Sequence, residues 1–393
     1  MSSTVNAPVN RCIDEEALIK WRRHLHMFPE ISGAEKETSA YLVKELKAMG
    51  LKVKANIAGY GVVATLAGDP NKKCVALRAD IDALPIEEGN DVEYCSQNRG
   101  CMHACGHDAH MTIALGVAKA MVENPPGGSV KFIFQPREEK PPGGARDMVE
   151  AGIMENPHID VMLGQHVSPL YPAGTIALKN GTIFAVADDF HLTITGRGGH
   201  GSSPHVTRDP ILVAAEAVVA LQTIASRMNN PMEPLVITIG TIHGGTAQNI
   251  IPDRVEMTGT LRCLNNETRD IALSHMHEVL TGVTHAWGAD YQLNYLYGYP
   301  PVVNNPEITD IVRDVVKSKP ELKLAEMRYS LLAGEDYAYY GQYAPAVYYL
   351  AGCGKDGENY PWHHRLFDID ESCLKIAVDV MAETMFRIAS QDR

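Results

Sequence analysis

The chain is short of the features that mark several functional classes. Positive charge is in deficit: 35 Lys+Arg stand against 48 Asp+Glu, a formal net charge of −13. A nucleic-acid surface needs a concentrated basic patch, so nucleic acid is not expected as a partner. No uninterrupted apolar run approaches the roughly 18 residues of a membrane helix. The longest candidate, Ile211 to Ala225, contains Glu216 and Gln222 and reads as a packed helix. The stretch from Met1 to Arg11 is polar and lacks the apolar core of a secretory signal. Cysteines stand at Cys12, Cys74, Cys95, Cys101, Cys105, Cys263, Cys353 and Cys373, too irregularly for a disulfide framework. Repeats and low-complexity tracts are also missing. These absences leave a soluble cytoplasmic enzyme, with no membrane partner, as the expectation.

What is plentiful is histidine, with 16 in 393 residues. At 45% hydrophobic and 21% charged, the chain has ordinary globular composition, enough for two or three domains. Asp14 can cap a helix through Met27, and helical spacing from Lys36 to Met49 ends at Gly50. Apolar runs at Gly61–Leu66, Cys74–Arg78, Val130–Phe134 and Val161–Gly164 read as strands, with a helix from Ala109 to Glu123 among them. Strands spaced by helices predict an α/β sheet that is largely parallel.

From Phe184 the texture changes. A strand at Phe190–Thr195, a helix from Pro210 to Arg227, strands at Leu235–Thr241 and Arg254–Arg262, a helix from Glu267 to Trp287 and a strand at Tyr291–Tyr297 follow. That β-α-β-β-α-β order is the ferredoxin-like unit. Helix–strand alternation then resumes with a helix over Asn305–Ser318, a strand at Ala346–Leu350 and a helix over Cys373–Ile388. The expected fold is an α/β catalytic domain (1–183 and 299–393), its central sheet flanked by helices, interrupted by an inserted α+β domain (184–298).

The densest cluster of chemistry-bearing residues is Met102-His103-Ala104-Cys105-Gly106-His107-Asp108-Ala109-His110. Nitrogen and sulfur donors this close are characteristic of zinc-like sites, and Cys105 and His107, two apart, suit a loop around a metal. Asp108 can cap the helix that follows. Other donors fall where strands end: Asp80 and Asp82, Glu138 and Glu139, and His166. In open α/β sheets the ligand crevice lies outside the carboxyl ends of the strands, so these groups can converge there.

Further motifs extend the pattern. They include Arg23-His-Leu-His-Met-Phe-Pro-Glu30, Arg78-Ala-Asp-Ile-Asp-Ala-Leu-Pro85, Phe134-Gln-Pro-Arg-Glu-Glu139 and Gly143-Gly-Ala-Arg146. Later come Gly198-Gly-His-Gly-Ser-Ser-Pro-His205, Gly245-Thr-Ala-Gln-Asn-Ile-Ile-Pro-Asp253, Gly334-Glu-Asp-Tyr337 and His363-His-Arg-Leu-Phe-Asp-Ile-Asp-Glu371. Taken in order, they resemble the amidohydrolase branch of the zinc aminoacylase/carboxypeptidase family. That branch includes hippurate hydrolases, auxin-conjugate hydrolases and thermophilic archaeal metallocarboxypeptidases. The resemblance covers nearly the whole chain.

The resemblance implies metal ligands at Cys105, His107, Glu139, His166 and His363, with His364 competing for the last place. Five such side chains exceed one tetrahedral zinc, so one or two divalent ions per subunit are expected, Zn2+ first and Mn2+ or Co2+ as alternatives. Glu138 is implied as general base and then acid; adjacent residues on an extended segment would point Glu138 and Glu139 in opposite directions. Asp82 is a candidate to orient an imidazole ligand, while Asp80 stays structural. His200, exposed on a glycine-rich turn, can stabilise an oxyanion, and Asn249 can contact a substrate carboxylate. The inserted domain is implied as a lid and dimerisation domain, giving a homodimer or homotetramer.

The sequence departs from the family at Arg137, where a small residue is usual, and at Lys140-Pro141-Pro142, a longer turn. A cation beside the base could depress the pKa of Glu138 and alter specificity. The expected function is hydrolysis of the amide bond to a free C-terminal amino acid. It covers peptide C-termini and N-acyl amino acids, or the latter alone. The rivals are a Cys105-nucleophile hydrolase and a silent binding protein.

Overall fold

Neighbouring strands Val75–Asp80 and Val130–Gln135 are each buried at every position. Such unbroken burial belongs to strands covered on both faces in a parallel sheet. They sit at the middle of an eight-stranded sheet in the computed structural model, which describes residues 14–393. Cys12 and the polar Met1 to Arg11 stretch lie outside the described residues.

Among those residues the chain divides into two compact units. The first takes the chain up to Ile183, then Val303–Tyr329 and Asp336–Arg393; the second takes Phe184–Val302 and Ser330–Glu335. In the first unit the sheet order is Lys52–Ile57, Gly61–Leu66, Val130–Gln135, Val75–Asp80, Val161–Pro172, Ala346–Gly354, Thr175–Leu178, Lys323–Glu326. The four strands from Val130–Gln135 to Ala346–Gly354 run parallel. Antiparallel pairs join Lys52–Ile57 to Gly61–Leu66 and Gly61–Leu66 to Val130–Gln135. In register Asp80 pairs with Gln135, so the carboxyl ends of neighbouring strands lie level. The fold is therefore α/β with a mostly parallel sheet.

Three strands of this sheet were not foreseen: Lys52–Ile57, Thr175–Leu178 and Lys323–Glu326. Lys52–Ile57 and Lys323–Glu326 are the two edge strands, where exposed residues blur the apolar pattern; Thr175–Leu178 is buried but only four residues long. The strand from Val161 runs to Pro172, past His166, because Ala346–Gly354 pairs with it through His166 opposite Leu350.

The helix His107–Glu123 is nearly wholly buried and packs against Glu15–Met27 and Ser372–Ala389. Its N-cap is Gly106 in a left-handed conformation, with no side-chain cap. The expected Asp108 cap is therefore corrected: its carboxylate instead binds Arg22 and His26, which hold it more strongly than a helix N–H would. Asp14 does accept from the Glu16 N–H at the first helix, and Gly50, at φ +84°, follows the end of the second.

In the second unit the strands Val186–Thr195, Leu235–Gly244, Arg254–Cys263 and Asp290–Tyr299 form an antiparallel sheet with Val186–Thr195 and Arg254–Cys263 at its centre. Alternate residues Phe190, Leu192 and Ile194 pack with helices Pro210–Thr223 and Asn266–Trp287 in one core. The helical stretch Pro210–Met228 is long and apolar enough, by length and composition, to cross a membrane. Its inner residues Val213, Ala214, Ala217, Leu221 and Ile224 are buried in this core, the packing expected of it.

Candidate metal centre

Within the first unit, residues far apart in sequence bring ligand atoms together. Cys105, His107 and His166 form one group, Cys105, Glu139 and His363 a second, and His107, Glu138 and Glu139 a third, each with its donor atoms within 4.8 Å of one another. Groups sharing members in this way make one continuous cluster. The Cys105 Sγ lies 3.4 Å from His166 Nε2, and Glu139 Oε1 lies 3.3 Å from His363 Nε2 and 3.8 Å from His107 Nε2.

The backbone sets the imidazole orientations. His107 Nδ1 donates to the Asp82 carbonyl at 2.8 Å, and His166 Nδ1 to the Val167 carbonyl at 2.8 Å. Each ring therefore turns Nε2 inward with its lone pair available to a metal. The Val167 carbonyl also accepts from Trp362 Nε1 at 2.9 Å, beside His363. His110 is spent differently: Nδ1 donates to Asp80 at 2.6 Å and Nε2 accepts the Val167 N–H at 2.9 Å.

Asp82 meets the His107 imidazole, and it does so first through its backbone. Its carbonyl orients His107, while its carboxylate Oδ2 accepts the Ser32 hydroxyl at 2.5 Å and the Glu139 N–H at 2.9 Å. Its other oxygen is 3.5 Å from His107 Nδ1. Asp80, set aside as structural, bonds Arg78 and His110 and also lies 3.5 Å from His107 Nε2. Its double placement depends on a strand end meeting the first turn of the helix His107–Glu123, which no local motif announces.

Glu138 and Glu139 sit on a turn, not on an extended segment. The strand ends at Gln135, before Pro136, and Arg137 at φ +60° leads into the turn that places both carboxylates in the cluster. The Arg137 cation expected beside the base is paired with Asp147, where its charge is largely offset.

His363 and His364 separate cleanly. His363, at φ +65°, donates its N–H to the Ala104 carbonyl at 2.8 Å and faces Glu139. His364 stacks on Tyr360 at 4.7 Å, and its Nδ1 accepts the Leu366 N–H. The second unit holds His200 and Asn249 as neighbours: Gly199–His200 pairs with Ile250–Ile251, and Asn249's carbonyl accepts the Gly201 N–H. Both side chains are exposed, with His200 Nδ1 bonded to Ser202.

The electrostatics favour a cation. Burial opposes charging of His107, yet Asp80, Asp82 and Glu139 together push its pKa up to about 10. Burial and then His110 hold His166 well below the usual range. Burial, with Glu139, Glu138 and Asp80 behind it, pushes the Cys105 thiol well above its ordinary value. An activated nucleophilic cysteine needs the opposite surroundings. His107 Nε2 and Glu139 Oε1, both buried, have no hydrogen-bond partner in the structure. A divalent ion among nitrogen, sulfur and carboxylate donors would satisfy them, so the donor set fits.

Comparison with known proteins then decides the family. A family model described as peptidase family M20/M25/M40 matches residues 76–387. The chain belongs to peptidase family M20/M25/M40. It is a hydrolase, as the family resemblance implied. This M20 chain is 39% identical over 369 residues to thermostable carboxypeptidase 1 of Saccharolobus solfataricus, covering 92% of this chain and 93% of that protein. It is also 39% identical to the N-acetyl-L-cysteine deacetylase of Bacillus subtilis, covering 97% and 90%. Among solved structures it is similar to the Bacillus subtilis YXEP protein, described as a dinuclear metal-binding peptidase of family M20. That likeness has a TM-score of 0.84 and 31% identity, over 95% of this chain and 98% of the other.

Proposed function

We propose that the protein is a divalent-metal hydrolase that cleaves the amide bond to a free C-terminal amino acid, in peptides and in N-acyl amino acids. The observation that carries this reading is the Glu138–Glu139 turn, with one carboxylate beside His107 and Cys105 and a second beside it. Relatives named as carboxypeptidase and as N-acyl-L-amino acid amidohydrolase support both substrate classes. An amidohydrolase without peptidase activity is the narrower alternative.

Cys105, His107, Glu139, His166 and His363 would hold one or two ions, Zn2+ or else Mn2+ or Co2+. Bound divalent ions supply Lewis acidity to the scissile carbonyl and to the attacking water. Glu138, buried in the cluster, takes a proton from that water on a carboxylate oxygen. It returns the proton to the leaving amine, so one group serves both halves of the reaction. Glu139 and the inward Nε2 atoms of His107 and His166 keep the ligand set rigid through their backbone anchors. We assign His200 the substrate carbonyl oxygen and Asn249 its free carboxylate, and the second unit the lid and dimerisation role.

The test is Glu138→Gln in the zinc-loaded enzyme, assayed on N-acyl amino acids and short peptides. Turnover should fall by at least about 100-fold while substrate still binds. Unchanged turnover removes Glu138 as the base, and release of N-terminal residues from unblocked peptides removes the substrate assignment.

A further inference from the structure

Glu35 stands outside every role assigned above, yet it is completely buried. Its Oε1 accepts two backbone N–H groups, from Gly33 at 2.8 Å and from Arg137 at 3.0 Å. The second bond reaches 102 residues along the chain, to the residue before Glu138. Oε2 has no hydrogen-bond partner in the structure, so the anchoring rests on a single oxygen.

The donating residue is an unusual one. Arg137 has φ +60°, a conformation that a side-chain-bearing residue holds only when its surroundings impose it. Glu35 supplies one restraint. Asp82 supplies another on the far side, taking the Glu139 N–H at 2.9 Å while also accepting the Ser32 hydroxyl. The two N–H groups that flank Glu138 in sequence are thus each fastened to a buried carboxylate. Gly33, at φ +87°, completes the arrangement: it takes a backbone conformation that side-chain-bearing residues rarely adopt, next to the Arg137 stem. The segment from Ser32 to Glu35 therefore acts as a bracket for the Glu138–Glu139 turn.

We propose that Glu35 is a positioning residue for the hydrolysis, holding the Arg137 peptide so that Glu138 and Glu139 present their carboxylates together. The inference rests on the reading of Glu138 as the base. Its requirement is geometric: an acceptor oxygen at the end of a four-atom side chain. Glutamine keeps that oxygen and discards the charge. Aspartate keeps the charge and withdraws the oxygen by one carbon–carbon bond. A misplacement on the order of 1 Å in a reacting group can cost about 100-fold in rate.

The experiment compares zinc-loaded wild type, Glu35→Gln, Glu35→Asp and Glu138→Gln on N-benzoylglycine and N-acetylmethionine, with circular dichroism to confirm folding. The expected result is a loss of more than about tenfold in kcat for Glu35→Asp with KM within about threefold, and kcat within about threefold of wild type for Glu35→Gln. The inference is overturned if Glu35→Asp keeps wild-type kcat, or if Glu35→Gln falls as far as Glu35→Asp, the pattern of a charge effect. Should Glu35→Asp not fold, Glu35→Gln decides alone: kcat within about threefold supports the inference and a larger loss overturns it. An active Glu138→Gln enzyme overturns the reading of the base and this inference together. An inactive one beside a fully active Glu35→Asp overturns this inference only.

Discussion

The Arg22 guanidinium lies 3.0 Å from the Asp108 carboxylate, with both side chains 1% exposed. Arg22 also reaches Asp368 at 2.6 Å and Glu371 at 3.3 Å. One buried cation thus ties the first described helix to the helix that begins at His107 and to the segment that follows His363. Replacing it with methionine leaves Asp108 with a buried charge and fewer partners. We expect Arg22→Met to cost about 3–5 kcal/mol, measured by urea unfolding.

Acid should weaken the same region. Burial raises the pKa of Glu88, but His26, the Ser96 N–H and Asn90 outweigh it and bring the value down to about 2 from 4.5. A carboxylate depressed in the folded state contributes stability that is fully present above its unfolded pKa. That contribution is lost as pH falls from about 4.5 to about 2. His26, opposed by burial and Arg22 but raised overall by Asp108 and Glu88, contributes stability that is full below 6.5 and lost as pH rises through its folded pKa. A melting-temperature profile should therefore drop on the acid side, and Glu88→Gln should flatten that limb.

His363 and His364 predict opposite outcomes. His363→Ala should lower the metal content by elemental analysis and reduce kcat/KM by at least about 100-fold, the upper end of what even outer partners of a metal cost. His364→Ala, losing only its stacking on Tyr360 and a bond to the Leu366 N–H, should keep its metal and most of its activity. Equal metal loss in both variants would contradict the separation of the two residues.

A chelator such as 1,10-phenanthroline should abolish turnover, and added Zn2+, Mn2+ or Co2+ should restore it. A Cys105 nucleophile would survive the treatment. The Cys105 thiol is buried, and nearby carboxylates hold it protonated, so chelator-resistant activity is not expected.

Asp336 offers a stability test close to the chemistry, since one of its carboxylate oxygens lies within 4.8 Å of one from Glu138. It accepts from Arg78 at 2.7 Å, from Gln135 at 2.6 Å, and from the Gly144 and Ala145 N–H groups at the start of helix Ala145–Glu150. Asp336→Ala strips several buried donors at once. The expected cost is about 2–4 kcal/mol, read from denaturant midpoints.

Much of the first unit was legible because its central strands and helices carry strong periodic or unbroken apolar patterns. The Cys105–His107 cluster was legible because its donors are adjacent in sequence. Short strands such as Thr175–Leu178 were missed, since four residues are too few to show a period. Asp108 does not cap its helix, because a carboxylate binds whichever donors the fold brings to it, and here these are Arg22 and His26. Asp82 likewise has partners no local motif announces, Ser32 and the Glu139 N–H, beside the His107 ring.

The sequence by itself determined which donors exist: a thiol, several imidazoles and paired carboxylates at the ends of apolar runs, in an order that resembles one family. Tertiary structure decided which of them meet. His107 Nε2 turns inward because the Asp82 carbonyl, 25 residues away, takes its other nitrogen. His363 rather than His364 faces Glu139 because a left-handed backbone bonded to Ala104 points it there. Glu138 and Glu139 converge because buried carboxylates at Glu35 and Asp82 hold their turn from either side. Residue types are local properties of a chain, whereas hydrogen-bond partners are set by packing across it.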